Sequence, residues 1–208
     1  LDTPNGKVKA TLIDLPGTYS LYPKSIDEEV AFQALCDPEN EHFPDLTVIV
    51  ADATNLKRSL FLCSQIIDLK MPVVLALNMM DLAEKHRIQI DASQLSQALG
   101  VPVIKLNARK GEGIEELKVA IAKTTQHSKT DILQINKIAL ETIEEIKKIV
   151  NVNCDFSAFI LANNLNIISL VNLNSDKKAA LQRLLDHHQY DAKKLQALES
   201  IERYKVIA

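Results

Sequence analysis

The sequence is poor in the features that mark metal sites, secreted proteins and membrane spans. Its three cysteines, Cys36, Cys63 and Cys154, stand singly in or beside apolar stretches. No CxxC pair or Cys/His cluster occurs, so the pattern indicates buried, reduced thiols in a cytosolic protein rather than disulfides or a zinc site. Uncharged apolar runs of about 18 residues are also missing, which argues against a transmembrane helix within these residues. No signal-peptide pattern opens the chain.

The sequence also lacks a large excess of either positive or negative charge. The 24 Lys and Arg residues nearly balance the 27 Asp and Glu residues, for a formal net charge of −3. Without a long basic run, the sequence favours neither nucleic acid nor an anionic membrane as a partner. A hydrophobic content of 47% over 208 residues is enough to bury one large core or two small ones.

Glycine is the third scarcity, with only five, at positions 6, 17, 100, 111 and 113. The phosphate-binding motif G-x-x-x-x-G-K-[ST] is therefore absent: Gly6-Lys7 is followed by Val8, and Leu1 stands where a first glycine is needed. That loop and its lysine hold the β- and γ-phosphates in P-loop proteins. Because the chain also begins without Met, we expect it to be part of a longer protein and to be inactive as an enzyme by itself.

What the sequence does contain is an alternation of strands and helices up to about His127. An Asn-Gly turn before the first strand predicts a hairpin. The predicted strands are Lys7–Ile13, Asp45–Ala51, Met71–Leu77 and Val101–Leu106. The predicted helices are Asp27–Leu35, Leu56–Leu69, Ala92–Leu99 and Ile114–Lys123. Continuous apolar strands separated by amphipathic helices are typical of an α/β domain, here residues 1–127, with a mostly parallel sheet covered on both faces.

After His127 the pattern becomes entirely helical. Apolar residues at three- and four-residue spacing predict helices over Thr130–Val150, Phe156–Ala162, Ile167–Leu173, Asp176–His187 and Ala192–Tyr204. Phe156 and Phe159 are expected to anchor their core. We expect residues 126–129 to link the α/β domain to a small all-α domain spanning 128–208.

Two polar motifs follow neighbouring strands of the predicted sheet. Asn78-Met79-Met80-Asp81 follows Met71–Leu77, and Asn107-Ala108-Arg109-Lys110 follows Val101–Leu106. Ligands of parallel sheets bind at these strand ends. A carboxylate at Asp81 can accept from both the ring N1–H and the exocyclic amine of guanine, whereas adenine lacks the N1–H. The small side chain of Ala108 lets its backbone N–H reach the guanine carbonyl, so the two motifs indicate a guanine site.

A third motif, Asp14-Leu15-Pro16-Gly17, follows Lys7–Ile13 and precedes a segment, Thr18–Ile26, that we expect to be mobile. A carboxylate in this position can hold Mg²⁺ through water, and a glycine lets its N–H approach a terminal phosphate. D-x-x-G is weak by itself, and its weight comes from its place after a strand. Each of the three motifs also has a plainer reading, in which the side chains cap a turn, a helix or a strand end.

Four segments together resemble the N-terminal cytosolic GTPase region of the bacterial ferrous iron transport protein B family. They are D-L-P-G-T-Y-S-L-Y-P (Asp14–Pro23), V-I-V-A-D-A-T-N-L-K-R-S-L (Val48–Leu60), L-N-M-M-D (Leu77–Asp81) and A-R-K-G-E-G-I (Ala108–Ile114). The first is typical of this family, whereas Ras-like proteins usually have glutamine after the glycine. The resemblance is close through about Lys123, and the helical remainder matches by position. It implies a Ras-like P-loop GTPase-type fold, followed by a helical domain that slows GDP release and links it to a membrane-embedded iron channel.

The resemblance also implies roles for individual residues. Asp14 is expected to bind Mg²⁺ through water, and Gly17 to sense the γ-phosphate. Thr18 stands where Ras-like enzymes place the water-orienting glutamine, so slow GTP hydrolysis is expected. The implied nucleotide-base residues are Asn78, Met79, Asp81, Asn107, Ala108 and Arg109. The implied cofactors are GTP or GDP and Mg²⁺, with K⁺ as a candidate activating ion.

In a Ras-like sheet the missing first strand lies between Lys7–Ile13 and Asp45–Ala51. Its absence would leave a gap of roughly two strand spacings. Two buried strands cannot leave their backbone edges unpaired beside such a hole. Either a preceding segment fills the gap or these residues pack differently, and we favour the first.

The resemblance places this region on the cytoplasmic face of the bacterial inner membrane, soluble in itself. Its implied partners are guanine nucleotide and the channel part of the same polypeptide, with a homo-oligomer left open and no nucleic acid. One alternative is a truncated or degenerate interaction module that docks a membrane partner without nucleotide. A ribosome-associated GTPase is a weaker alternative, because a near-neutral charge disfavours rRNA binding.

Overall fold

A computed structural model of the chain describes residues 2–3, 6–7, 9–165 and 173–208. The chain divides into two compact units: Leu1–Asp14 with Pro44–Asp131, and Leu15–Phe43 with Ile132–Ala208. The sequence pattern predicts a single boundary near His127. In the structure, residues 15–43 also group with the helical residues that follow it. The apolar side chains of this segment explain the grouping, since Leu21, Phe32 and Leu35 are buried.

The strands are β1 Asp2–Thr3, β2 Gly6–Lys7, β3 Thr47–Asp52, β4 Val73–Asn78 and β5 Val103–Lys105. The first five helices are α1 Ile26–Cys36, α2 Leu56–Asp68, α3 Met80–Lys85, α4 Ala92–Leu99 and α5 Ile114–Lys123. A 3₁₀ turn, Ile135–Lys137, precedes α6 Leu140–Val150, α7 Asp155–Asn163, α8 Ser175–His187 and α9 Ala192–Val206.

The first unit is built on a parallel sheet of order β3-β4-β5. Residues 73–77 of the central strand β4 are at most 1% exposed. Because successive side chains of a strand point to opposite faces, a run buried at every position is covered on both faces. Helices α2, α4 and α5 pack against these strands. The expected parallel sheet between helical layers is therefore confirmed.

The predicted hairpin is present: β1 pairs antiparallel with β2, with Asp2 opposite Lys7 and Thr3 opposite Gly6. The predicted strand Lys7–Ile13 was wrong for residues 9–13, which have no regular secondary structure. Leu12 is 92% exposed there. A strand needs a neighbour for its backbone hydrogen bonds, and no described strand pairs with these residues.

Helix boundaries follow the capping signals in the sequence. The Ser25 hydroxyl accepts from the Glu28 N–H at 3.3 Å at the start of α1, and the Asp191 carboxylate accepts from the Lys194 N–H at 3.0 Å at the start of α9. Helix α4 ends at Gly100, whose φ of 67° is the left-handed conformation that glycine favours.

The predicted helix Thr130–Val150 begins ten residues later than expected, at Leu140. Residues 128–131, before this helix, make hydrogen bonds to residues of the first unit instead. The buried Ser128 hydroxyl donates to the Leu99 carbonyl at 3.2 Å and accepts from the Thr130 N–H at 3.1 Å. Lys70 binds the Thr130 carbonyl and the Asp131 carboxylate. The expected linker is thus partly docked on the first unit.

The second unit is helical. Helix α6 packs against α7 and α8, and α7 also contacts α9. Phe156 and Phe159 are buried, with ring centroids 6.3 Å apart, which confirms them as core anchors. Most of the predicted helix Ile167–Leu173, residues 167–172, lies outside the described residues, and Leu173 is not helical. Among the helices that the structure describes, none is both long enough and apolar enough to cross a bilayer.

Candidate functional site

Asn78 lies at the end of β4 and joins three segments of the first unit. Its carbonyl accepts from the Ala53 N–H at 3.0 Å, just after β3. Its side-chain oxygen accepts from the Ala108 N–H at 3.1 Å, just after β5. The amide therefore ties the ends of neighbouring parallel strands together, at the edge of the sheet where ligands bind.

The loop after β5 is closed by a reciprocal backbone pair. The Asn107 N–H donates to the Glu112 carbonyl at 3.1 Å, and the Glu112 N–H donates to the Asn107 carbonyl at 3.2 Å. Gly113 follows with a φ of 81°, and a Cβ built there would lie 2.1 Å from the Lys105 carbonyl oxygen. Only glycine allows this close approach, which fixes the loop that presents Ala108.

Asn107 is 5% exposed, and its side-chain nitrogen has no hydrogen-bond partner among the described residues. A buried amide without a partner is costly. The loop therefore holds one unused donor beside the Ala108 backbone. Arg109 and Lys110 follow as exposed residues.

The turn between β4 and α3 is set by Met79. Met79 has a φ of 62°, a left-handed conformation that is uncommon for a side chain of this size, and it is 42% exposed. The Met80 N–H donates to the Leu106 carbonyl at 3.4 Å, a second link between the two loops. Asp81 lies half-buried in the first turn of α3.

This arrangement offers both hydrogen-bond polarities to a planar heterocycle. With its oxygen bonded to Ala108, the Asn78 amide has its nitrogen donor left, while the Asp81 carboxylate supplies acceptors. Guanine presents acceptors at N7 and O6 and donors at N1 and N2, so the residue types fit a guanine base. The structure therefore brings together Asn78 and Ala108, with Met79, Asp81, Asn107 and Arg109 on the same two loops.

The residues predicted to bind the phosphates and Mg²⁺ do not lie on the two loops after β4 and β5. Asp14 is exposed at the end of the first unit's opening segment, whereas Gly17 and Thr18 belong to the second unit. The Thr18 hydroxyl donates to the Ser20 carbonyl at 2.8 Å. No cluster of three or more metal-ligating side chains occurs in the described ranges. The expected roles of Asp14, Gly17 and Thr18 thus rest on the sequence.

Sequence reasoning missed a buried ion pair. Glu199 and Arg203 of α9 are fully buried, and the Arg203 Nε donates to the Glu199 Oε1 at 2.5 Å. Their spacing of four residues was the available signal, but such pairs usually lie on exposed helix faces. Tyr22, 5% exposed, lies in the same unit.

The fold and the paired loops at the strand ends define the class as a G domain with a helical extension. Residues 3–121 match the family model described as ferrous iron transport protein B. The chain belongs to this family.

Relatives and solved structures agree with that assignment. The chain is 40% identical over 141 residues to the Fe(2+) transporter FeoB of Salmonella typhimurium, which covers 66% of the chain and 17% of the relative. The Escherichia coli K12 protein of the same name is 38% identical over 145 residues, 68% of the chain and 18% of the relative. The chain thus spans about a sixth of the length of these relatives.

Two solved structures share the fold over most of the chain. The cytosolic domain of L. pneumophila FeoB has a TM-score of 0.73 at 32% identity, covering 93% of this chain and 75% of the other. The mGMPPNP-bound NFeoB of S. thermophilus has a TM-score of 0.68 at 29% identity, with the same two coverages, 93% and 75%.

Proposed function

We propose that this chain is the guanine-nucleotide-binding regulatory region of a bacterial ferrous iron transporter, at the cytoplasmic face of the inner membrane. The observation that carries the proposal is the bond from the Ala108 N–H to the Asn78 side chain. It brings the two predicted base-reading loops to one edge of the sheet. The nucleotide analogue in the S. thermophilus relative supports the same ligand class.

The base is held from both loops in this proposal. The Asp81 carboxylate accepts from N1–H and the exocyclic amine, and the exposed Met79 side chain covers the ring. The Asn78 amide and the Ala108 N–H face the acceptor edge of the base. A guanine carbonyl at this edge competes with the Asn78 oxygen for the Ala108 N–H. Selectivity for guanine over adenine comes from the Asp81 carboxylate, which a bound adenine would leave unpaired.

The phosphate side of the site falls to the D-x-x-G segment in this proposal. Asp14 would hold Mg²⁺ through water, Gly17 would offer its N–H to the γ-phosphate, and Thr18 would stand near the attacking water. Mg²⁺ bound with phosphates needs only one or two carboxylates from the protein, so a lone Asp14 is chemically sufficient. Threonine lacks the reach and the amide of glutamine, so GTP hydrolysis would be slow, and K⁺ is a candidate activator.

A nucleotide titration tests the proposal. Fluorescent GDP is titrated into the 208-residue chain and into the whole protein as its gene encodes it. We expect tight binding by the whole protein and weak or undetectable binding by the chain. Lack of binding by the whole protein would overturn the proposal in favour of a degenerate interaction module that docks its membrane partner without nucleotide.

A base-exchange variant tests the role of Asp81 itself. In Asp81→Asn an amide donor replaces one carboxylate acceptor, so preference should move from GTP toward XTP, whose base carries a carbonyl where guanine carries the amine. Asp52→Asn is a matched control at the end of β3, because asparagine keeps the oxygen that accepts from the Thr54 N–H at 2.7 Å. Retained GTP preference in Asp81→Asn would refute the base-reading role.

A further inference from the structure

A charged pair lies inside the second unit, on α9. Glu199 and Arg203 are both 0% exposed and are joined at 2.5 Å. The Arg203 guanidinium also lies 4.8 Å from the centroid of the buried Phe156 ring, a cation–π distance. Taking two charges out of water is costly. Apolar packing alone therefore does not explain a buried ion pair at this position.

Tyr22, in the segment that carries Gly17 and Thr18, is near enough to Glu199 and Arg203 for both charges to act on its hydroxyl. Its hydroxyl is buried and has no hydrogen bond that meets normal geometry within the described ranges. Burial raises the pKa of Tyr22 well above its usual range, and the neighbouring Glu199 carboxylate raises it further. The phenol therefore keeps its proton and remains a donor beside an acceptor.

Local hydrogen bonds link the backbone of Tyr22 to Ser20 and Thr18, just after the D-x-x-G motif. The Thr18 hydroxyl donates to the Ser20 carbonyl at 2.8 Å. The Tyr22 N–H approaches the Ser20 hydroxyl at 3.4 Å. Between them, the Leu21 carbonyl accepts from the Asn164 side chain at 3.3 Å, at the end of α7. Residues 18–22 therefore form a short stretch held by local hydrogen bonds, through which we expect a shift of residues 17–20 to reach Tyr22.

We propose that Tyr22 is a positioning residue that fixes the Gly17–Thr18 segment on the helical bundle, by donating its hydroxyl proton to the buried Glu199 carboxylate. The Tyr22 hydroxyl is a buried donor without a partner among the described residues. Leaving it unpaired is costly, so it should bond to the neighbouring Glu199 carboxylate. The part of this inference that concerns nucleotide rests on the proposed function, whereas the contact itself does not.

Amide hydrogen exchange without nucleotide tests the contact. Tyr22→Phe removes only the hydroxyl, so residues 15–25 should exchange about two- to ten-fold faster, the range expected for losing one hydrogen bond. Tyr190→Phe is the matched control: it removes the hydroxyl of a half-buried tyrosine of the same unit, which accepts from the Asn163 side chain at 2.9 Å. The control should leave residues 15–25 within about two-fold of the parent chain. Unchanged or slower exchange in Tyr22→Phe would overturn the proposal.

A double-variant background identifies the acceptor. In Glu199→Gln/Arg203→Gln both charges are removed together, which avoids leaving one buried charge unpaired. Adding Tyr22→Phe to this background should produce less than about a two-fold further change. A Tyr22→Phe effect of undiminished size there would overturn the assignment to Glu199. If this double variant does not fold, the comparison of Tyr22→Phe with Tyr190→Phe still decides whether the Tyr22 hydroxyl holds residues 15–25 in place.

Amide hydrogen exchange in the whole protein with nucleotide bound tests whether the nucleotide state reaches helix α9 through Tyr22. Replacing GDP by a non-hydrolysable GTP analogue should change the exchange of residues 192–206 in the parent and in Tyr190→Phe, and this change should be lost in Tyr22→Phe. A parent that binds both nucleotides without any such change would overturn the coupling. A parent that binds neither would refute the proposed function, while the nucleotide-free experiment would still decide the contact.

Discussion

The Ala108 N–H donates to the Asn78 side-chain oxygen at 3.1 Å, across 30 residues of sequence. This bond joins the loops after two adjacent parallel strands, and it fixes which atoms of the Asn78 amide face the Ala108 backbone. Asn78 therefore holds the Ala108 loop in place, and its amide nitrogen is left as the donor that the proposed base site requires. The Ala53 N–H, bonded to the Asn78 carbonyl at 3.0 Å, extends the same connection to a third strand.

Asn78→Ala should weaken guanine nucleotide binding by about ten- to a hundred-fold, because it removes a base contact and leaves the Ala108 N–H unpaired. Asn55→Ala is the matched control, since Asn55 follows β3 and its side chain makes no capping hydrogen bond. The affinities are measured by fluorescent GDP titration of the whole protein. Equal affinities in the two variants would contradict a role for Asn78.

Gly113→Ala should destabilise the first unit more than Gly111→Ala. Both glycines have positive φ, 81° and 73°, so each alanine costs about 1–2 kcal/mol of backbone strain. At Gly113 the new Cβ would also meet the Lys105 carbonyl oxygen at 2.1 Å, whereas nothing lies within 4 Å at Gly111. The added overlap should cost a further ~1–3 kcal/mol. Urea unfolding of both variants measures the difference, and equal stabilities would contradict the close approach of Gly113 to the Lys105 carbonyl.

Ser128→Ala should lower stability by ~1–3 kcal/mol, because it leaves the Thr130 N–H without its acceptor and the Leu99 carbonyl without its donor. Lys129→Ala, at the exposed next residue, should change stability by less than ~0.5 kcal/mol. Urea unfolding at one pH compares the two. Similar effects would mean that the linker is not docked through Ser128.

Local signals in the sequence predicted much of the fold. The bounds of helices α1, α4 and α9 were predicted to within two residues, because the features that set them, Ser25, Gly100 and Asp191, act on backbone only a few residues away. The apolar run 73–77 likewise predicted a central strand, since burial on both faces requires an apolar residue at every position. These features need no knowledge of distant partners.

The features that were missed depend on distant partners. Residues 9–13 have an alternating pattern but no neighbouring strand among those described. Residues 130–131 have helical spacing but are bonded to Ser128 and Lys70. Glu199 and Arg203 have the spacing of a surface ion pair, and only the tertiary structure buries them. On the site, the sequence indicated Asn78 and Ala108 through their places after adjacent strands. It could not indicate that the two bind each other, because that depends on the loop closed at Gly113.

The buried thiol of Cys63 on α2 should make stability depend on alkaline pH. Burial raises its pKa from 9.0 to about 12. Between these two values the unfolded chain loses the proton while the folded chain keeps it, so rising pH favours unfolding by about 1.4 kcal/mol per pH unit. Below pH 9 the effect vanishes, because both states are protonated.

Urea unfolding at about pH 8 and pH 10 measures this dependence. The parent chain should lose about 1.4 kcal/mol more between the two than Cys63→Ala, which has no thiol to ionise. Burial also raises the pKa values of Cys36, Tyr22 and Tyr190, but these groups are present in both proteins and cancel in the difference. Equal losses in the parent and in Cys63→Ala would mean that the Cys63 thiol ionises as readily in the folded chain as in the unfolded one.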